Sequence, residues 1–252
     1  MEINGVDYRI SGEPHDTYYA AFSKVGTYND DVTGYLKSII LDNWVCIDAG
    51  ANIGLTSIYM ATCGKNVSVY AFEPSPVTVR HLINNLNQND IYNVTVVPVG
   101  LGDERGFVKF IDMPNFGAGS HVKAASDHPG AIGIDSIAIK METLDNFLRR
   151  TSFERMDLLK IDTEGYELNV LRGAIDSIKK FRPLIIIEFN TWFMRVVQNL
   201  NPHDVLMELF SLFGSLAIIS GSGLTYIENT DYGRGQFLKE KCDSVINLVC
   251  RL

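Results

Sequence analysis

With 252 residues, 46% of them hydrophobic and 21% charged, the chain can bury one large core and falls outside the disordered class. A formal net charge of −8 and a pI near 5.1 argue against a protein that grips nucleic acid or an anionic membrane through massed Lys and Arg. No basic run is longer than the pairs Arg149-Arg150 and Lys179-Lys180, and no apolar stretch approaches the ~18 residues of a membrane span.

Cys46, Cys63, Cys242 and Cys250 show no C-x-x-C spacing, so neither a zinc knuckle nor a redox dithiol is indicated. The opening M-E-I-N-G-V-D-Y-R-I lacks the basic and apolar regions of a secretory leader. A cytoplasmic protein is expected.

In chain order, residues 5–10 read as a weak strand. Tyr18, Tyr19, Phe22 and Tyr28 cluster next, as a lid over a site or as a packed cap. The cap is preferred, because aromatics are more often core than contacts. Val32, Tyr35, Leu36, Ile39 and Ile40 lie on one face of a helix. Residues 1–40 are therefore expected to form an N-terminal extension on a domain of residues 41–252.

That domain is organised around W-V-C-I-D-A-G-A-N-I-G-L-T at 44–56. Val45, Cys46 and Ile47 suit a strand buried on both faces, and an apolar segment at 55–61 has helical length. A strand, a glycine turn and a helix form the geometry in which a nucleotide-like ligand meets backbone N–H groups. The spacing G-A-N-I-G is not G-x-G-x-x-G. Asp48 at the strand tip would repel a pyrophosphate and attract an ammonium or a sulfonium, both of which S-adenosylmethionine (SAM) carries.

A second strand at 67–72 ends in Glu73-Pro74-Ser75-Pro76, with Ser75 a helix N-cap and Pro76 the first helical residue. Glu73 stands where a carboxylate clasps a ribose diol. A third strand at 94–99 runs into Gly100-Leu101-Gly102-Asp103, the expected wall for adenine. Segments 106–111 and 136–141 read as an antiparallel insertion at the open edge of the sheet, where loops carry substrate contacts. His121 and His128 in its connecting loop are candidate acid–base groups, although a lone loop histidine is more often simply solvated.

A short helix at 143–148 precedes a buried strand at 158–161, which enters D-T-E-G-Y-E at 162–167. One helix is expected to follow, with Leu168, Leu171, Ile175 and Ile178 on one face. The strand at 184–187 ends at Glu188. A helix from Pro202 turns Val205, Leu206, Leu209, Phe210 and Phe213 inward. Strands at 216–219 and 245–249 close the chain, with a turn at Ser220-Gly221-Ser222-Gly223 and no clear amphipathic helix between them. Alternating strands and helices predict an α/β, doubly wound, mainly parallel sheet with an antiparallel final strand.

With D-A-G-A-N-I-G at 48–54, F-E-P-S at 72–75 and L-K-I-D-T-E-G-Y-E at 159–167 in order and spacing, the chain resembles the FkbM family of SAM-dependent methyltransferases. The resemblance runs from about residue 36 to 190. It implies a seven-stranded class I methyltransferase sheet, SAM as methyl donor, and O-methylation of a sugar, glycan or polyketide-like small molecule. Geometry and resemblance together assign Asp48, Gly50, Ala51, Asn52 and Gly54 to the methionine end of SAM. They assign Glu73, Pro74 and Ser75 to ribose, and Gly100 and Leu101 to adenine.

Asp162 and Glu164 lie where acceptors approach in this fold class, with Glu188 one strand further along. Converging carboxylates suit a general base, for which Asp162 is the first choice, or a divalent metal such as Mg²⁺. The competing reading of Asp162 and Glu164 is that they cap the helix after Gly165. A nicotinamide-dependent oxidoreductase, a nucleic-acid methyltransferase and a non-catalytic SAM- or glycan-binding module are the alternative functions. The missing G-x-G-x-x-G and the lack of a Pro-Pro pair weigh against the first two.

Overall fold

The computed structural model describes residues 1–28, 30–113, 117–123, 135–221 and 223–252. The chain begins with a small sheet in which β1 (Glu2–Ile3) pairs with β2 (Val6–Asp7) and, after α1 (Thr17–Val25), with β3 (Thr27–Tyr28). Helix α2 (Asp31–Ile39) starts on a capping box between Asp30 and Thr33 and carries the predicted apolar face.

The alternating core follows as β4 (Val45–Ala49), α3 (Leu55–Ala61), β5 (Ser68–Phe72), α4 (Pro76–Asn87) and β6 (Val94–Val97). Ser75 caps α4 with Pro76 in its first turn, as the sequence predicts. The insertion comprises β7 (Gly100–Leu101), β8 (Gly106–Ile111), a 3₁₀ turn at Gly117–Gly119, β9 (His121–Val122) and β10 (Ser136–Glu142). The expected antiparallel pair is β8 with β10, and it widens into a second sheet of order β7-β10-β8-β9.

After α5 (Leu144–Arg150) come β11 (Leu158–Ile161), α6 (Glu167–Arg172), α7 (Ile175–Phe181) and β12 (Leu184–Asn190). A π-helical turn (Phe193–Val197) leads to α8 (Pro202–Leu212). The chain closes with β13 (Ser215–Ser220), β14 (Gly223–Tyr226), α9 (Asp231–Glu240) and β15 (Val245–Arg251).

The main sheet has order β14-β13-β15-β12-β11-β4-β5-β6. Strands β4, β5, β6, β11 and β12 are parallel, and β15 inserts antiparallel between β12 and β13. The seven expected strands are present, and β14 adds an eighth at the edge by folding back on β13.

Two helix expectations are corrected. The single helix after D-T-E-G-Y-E is two, α6 and α7, broken at Gly173, where an added Cβ would stand 1.9 Å from the Gly102 carbonyl oxygen. A helix, α9, does join the last two strands. Its Gly233 and Gly235 and its polar sequence hide it, and only Arg234 and Phe237 are buried.

The pleat sorts the core into two layers. Ile47, Ala49, Leu159, Ile161, Ile185 and Ile187 face one, and Cys46, Leu158 and Ile186 face the other, which α2 and α3 cover. Asp48 and Lys160 fall on the second face and are direct cross-strand neighbours. The N-terminal helix packs onto the same layer through Tyr19 and Phe22.

Candidate active site

A cavity of about 300 Å³ opens at the carboxyl ends of β4, β5, β11 and β12. Gly50, Ala51, Asn52, Glu73, Pro74, Gly100 and Leu101 line it on one side. Asp162, Thr163, Glu164, Glu188 and Asn247 line it on the other, and Tyr18, Phe22 and Tyr28 roof it. Tyr19, Phe22 and Tyr28 pack against the core layer of α2 and α3, and Tyr18, Phe22 and Tyr28 form a wall of the cavity.

The turn after β4 is closed by its own hydrogen bonds. Gly50 and Ala51 N–H both donate to the Phe72 carbonyl at 3.0 Å. Asn52 N–H donates to Glu73 Oε2 at 2.9 Å, Ile53 N–H to Asn52 Oδ1 at 2.7 Å, and Gly54 N–H to the Ala51 carbonyl at 2.9 Å. A phosphate-binding turn keeps such groups for its ligand. The N–H groups of residues 50–54 are therefore taken up within the protein, and these five do not form an anion cradle.

Gly50 has φ +83°, and a Cβ there would stand 1.7 Å from the Asp162 carbonyl oxygen. Only glycine lets the turns after β4 and β11 touch. Gly54 (φ 93°) starts α3 against Leu82 and does not line the cavity.

Glu73 is buried and holds both turns at this end. Its Oε2 accepts from Asn52 N–H and its Oε1 from Ser75 N–H, each at 2.9 Å. Burial pushes its carboxyl up to about 7, against the pull of the Ser75 and Asn52 N–H groups. Ser75 lies below the cavity and donates to Asp112, which ties the insertion to the β5 end.

Asp48 does not stand free at its strand tip. It is fully buried, accepts from Ser57 Oγ at 2.6 Å, and lies 3.5 Å from Lys160 Nζ. Burial raises its carboxyl, and Lys160 and Ser57 oppose the shift. Lys160 is only 5% exposed and also donates to Asp162 Oδ2 at 2.9 Å. Burial alone would lower the lysine, but Asp162 and Asp48 outweigh it and hold it raised. Among the described residues Lys160 is the single basic group lining the cavity, against Asp30, Glu73, Asp162, Glu164 and Glu188. A lone lysine inside the apolar run L-L-K-I was the signal for it.

Glu167, rather than Asp162 or Glu164, organises the loop after β11. Its Oε1 accepts from Thr163 and Gly165 N–H at 3.0 Å each. The helix-cap reading of Asp162 and Glu164 is thereby corrected. Glu164 adopts φ 55°, a left-handed conformation that turns the loop toward the cavity.

Oxygens of Asp162, Glu164 and Glu188 lie within 4.8 Å of one another. Glu164 Oε2 and Glu188 Oε2 are buried atoms with no hydrogen-bond partner. Burial raises Glu164 well above the usual range and Glu188 and Asp162 add to it; burial, then Asp162 and Glu167, do the same to Glu188. Asn247 is the cross-strand neighbour of Glu188 and lines the cavity beside it.

His121 is buried and does not line the cavity. Its Nδ1 lies 2.7 Å from the Gly119 carbonyl oxygen, and its ring meets Phe193 edge-on. It holds the insertion together, so the acid–base expectation for it is corrected. His128 lies outside the described residues.

The Methyltransferase FkbM domain family model matches residues 48–213, which contain both turns and the carboxylate cluster. Methyltransferase sdnD of Sordaria araneosa is 30% identical over 207 residues, covering 69% of this chain and 78% of its own. The hexuronic acid methyltransferase AglP of Haloferax volcanii is 29% identical over 158 residues, covering 62% of this chain and 60% of its own. The crystal structure of methyltransferase FkbM from Methylobacillus flagellatus KT matches with a TM-score of 0.52 at 18% identity. It aligns over 84% of this chain and 44% of that longer one, a likeness of fold. The protein whose sheet, turns and carboxylates are described above belongs to the FkbM methyltransferase family.

Proposed function

We propose that the chain transfers the methyl group of SAM to a hydroxyl of a small polyhydroxylated acceptor, a sugar or glycan before a polyketide-like molecule. One observation carries the proposal. A single cavity has at one end a buried carboxylate already fixed by backbone donors, Glu73, and at the other two carboxylate oxygens without partners, on Glu164 and Glu188. The first is a preorganised acceptor for ribose hydroxyls. The second end suits a hydroxyl that must give up a proton.

In this reading Gly50, Ala51 and Asn52 hold the methionine end of the cofactor, and Pro74, Gly100 and Leu101 flank the nucleoside. Asp48 and Gly54 act from beneath. Asp48 fixes Lys160, Gly54 starts α3, and Ser75 sets the course of α4. The acceptor oxygen attacks the methyl carbon in line. The sulfur–carbon bond breaks, its electron pair stays on sulfur, and S-adenosylhomocysteine leaves. The hydroxyl proton passes to the carboxylate cluster. Asp162 is engaged by Lys160, so Glu164 and Glu188 take that part in place of the Asp162 base expected from the sequence.

The donor is already activated, so alignment and exclusion of water supply most of the acceleration, and a positioned base adds ~10²–10⁴-fold. Residues 1–40 serve as a cap, a reading supported by Tyr18, Phe22 and Tyr28 over the cavity. The similarity to a hexuronic acid methyltransferase supports a sugar acceptor. The test is transfer of isotopically labelled methyl from SAM to a panel of sugars, glycans and hydroxylated small molecules, read by mass spectrometry. Labelled product from a hydroxylated acceptor supports the proposal, and label appearing only on amine or carbon acceptors contradicts it.

A further inference from the structure

The carboxylate cluster offers more than a proton acceptor. We infer that Asp162, Glu164 and Glu188 bind a divalent, oxygen-seeking cation that presents the methyl acceptor. The inference rests on the methyl-transfer reading for what the cation holds, but the cation site itself stands on independent observations.

Three residues from two strand ends each bring a carboxylate oxygen into a group no wider than 4.8 Å. Oxygens sharing one Mg²⁺ or Mn²⁺ lie about 3 Å apart when adjacent and about 4 Å apart when opposed, and those sharing Ca²⁺ reach about 5 Å. The cluster is of that size. Within it, Glu164 Oε2 and Glu188 Oε2 are buried and lack any donor. A buried carboxylate oxygen without a donor is costly, and pairing with a cation removes the penalty. Lys160 does not fill the need, because it is committed to Asp162 and Asp48. Asp48, Asp162, Glu164 and Glu188 bring four carboxyl groups together near its one ammonium. The donor set is all carboxylate, which selects hard cations over those that prefer sulfur or imidazole.

Three single-oxygen ligands leave about three of six octahedral positions for substrate and water. A bidentate acceptor, a vicinal diol or an α-hydroxy acid, fits such an opening. The charge of the cavity makes the cation decisive for one class. With five acids and one lysine on its walls, the cavity repels an anionic acceptor such as a uronic acid. A bound divalent ion reverses that, and it lowers the pKa of a hydroxyl coordinated to it.

The test uses the full chain stripped of metal by a chelator and titrated with MnCl₂, read by calorimetry and by loss of the free-ion paramagnetic resonance signal. One saturable site per chain is expected. Glu164→Gln and Glu188→Gln are each expected to weaken it about tenfold or more. Both replacements keep shape and thin a crowded group of acids, so the variants should fold. As a check that needs no variant, Mn²⁺ should raise the wild-type thermal midpoint. No saturable site, or one with unchanged affinity in both variants, overturns the inference. S-adenosylhomocysteine titrated into the same metal-free samples reads the cofactor end separately. If it binds and Mn²⁺ does not, the cation inference falls while the methyltransferase reading stands.

Discussion

Glu73 at the β5 end and Glu188 on β12 line one cavity, Glu73 buried and Glu188 half-buried, and burial raises the carboxyl of both. They differ in what their oxygens do. Glu73 uses both to receive backbone N–H groups, one from each of the turns it joins. Glu188 leaves Oε2 without a donor, and so does its neighbour Glu164. A carboxylate fixed by its own backbone is a rigid part of a binding surface. One kept buried and unsatisfied is held for something that arrives. In the proposed function, the difference divides the cavity into an end for the donor and an end for the acceptor.

The division is broken most directly at the acceptor end. Glu188→Gln should lower methyl transfer by about 10²-fold or more and leave S-adenosylhomocysteine affinity unchanged, as steady-state kinetics and calorimetry would show. Loss of cofactor binding in this variant would erase the distinction between the ends.

The buried lysine between them is read in stability. Lys160→Met strips the partner from a fully buried Asp48 and should cost about 3–5 kcal/mol in denaturant unfolding. A loss below about 1 kcal/mol would mean that Lys160 does not hold the two ends together.

At the donor end, Glu73→Gln keeps one acceptor oxygen but presents an NH₂ to a backbone N–H group. S-adenosylhomocysteine should bind ~30-fold more weakly, about 2 kcal/mol. Transfer measured at saturating SAM should be nearly preserved, the opposite of the Glu188 variant.

The smallest effect is in pH. With its carboxyl raised to about 7, Glu73 is ionised, as its proposed role toward ribose requires, above that value. S-adenosylhomocysteine affinity should rise about tenfold from pH 6 to pH 8 and lose that slope in Glu73→Gln. The ligand-free protein should respond with the opposite sign. Its folded-state Glu73 binds protons more tightly than the unfolded chain, so the contribution to stability is full below about 4.5 and is lost as pH rises through about 7. Parallel pH profiles in wild type and Glu73→Gln would assign the slope elsewhere.

Much of this division was legible before the structure. The apolar runs at β4, β11 and β12 marked strands buried on both faces, and the acids that end them fell at one edge of the sheet. G-A-N-I-G and F-E-P-S correctly brought Gly50 and Glu73 to one cavity. What stayed hidden was pairing across the sheet. Asp48 reads as a free acid because Lys160, the residue that occupies it, comes from a strand far along the chain. D-T-E-G-Y-E contains three acids, and nothing in their order says that Glu167 closes the loop while Asp162 and Glu164 face the cavity. The break between α6 and α7 follows from the Gly102 carbonyl packed against Gly173, a contact that helical periodicity does not encode. Helix α9 has too few apolar residues to announce itself, and its place between β14 and β15 is fixed by Phe237 against Phe189.

The measurement that bears most directly on the division is calorimetric titration of S-adenosylhomocysteine into the wild type, Glu73→Gln and Glu188→Gln side by side. One saturable site in the wild type, weakened in Glu73→Gln and intact in Glu188→Gln, is the predicted result. No binding to the wild type, or an equal loss in both variants, would contradict an account in which the β4–β5 end holds the donor and the β11–β12 end receives the acceptor.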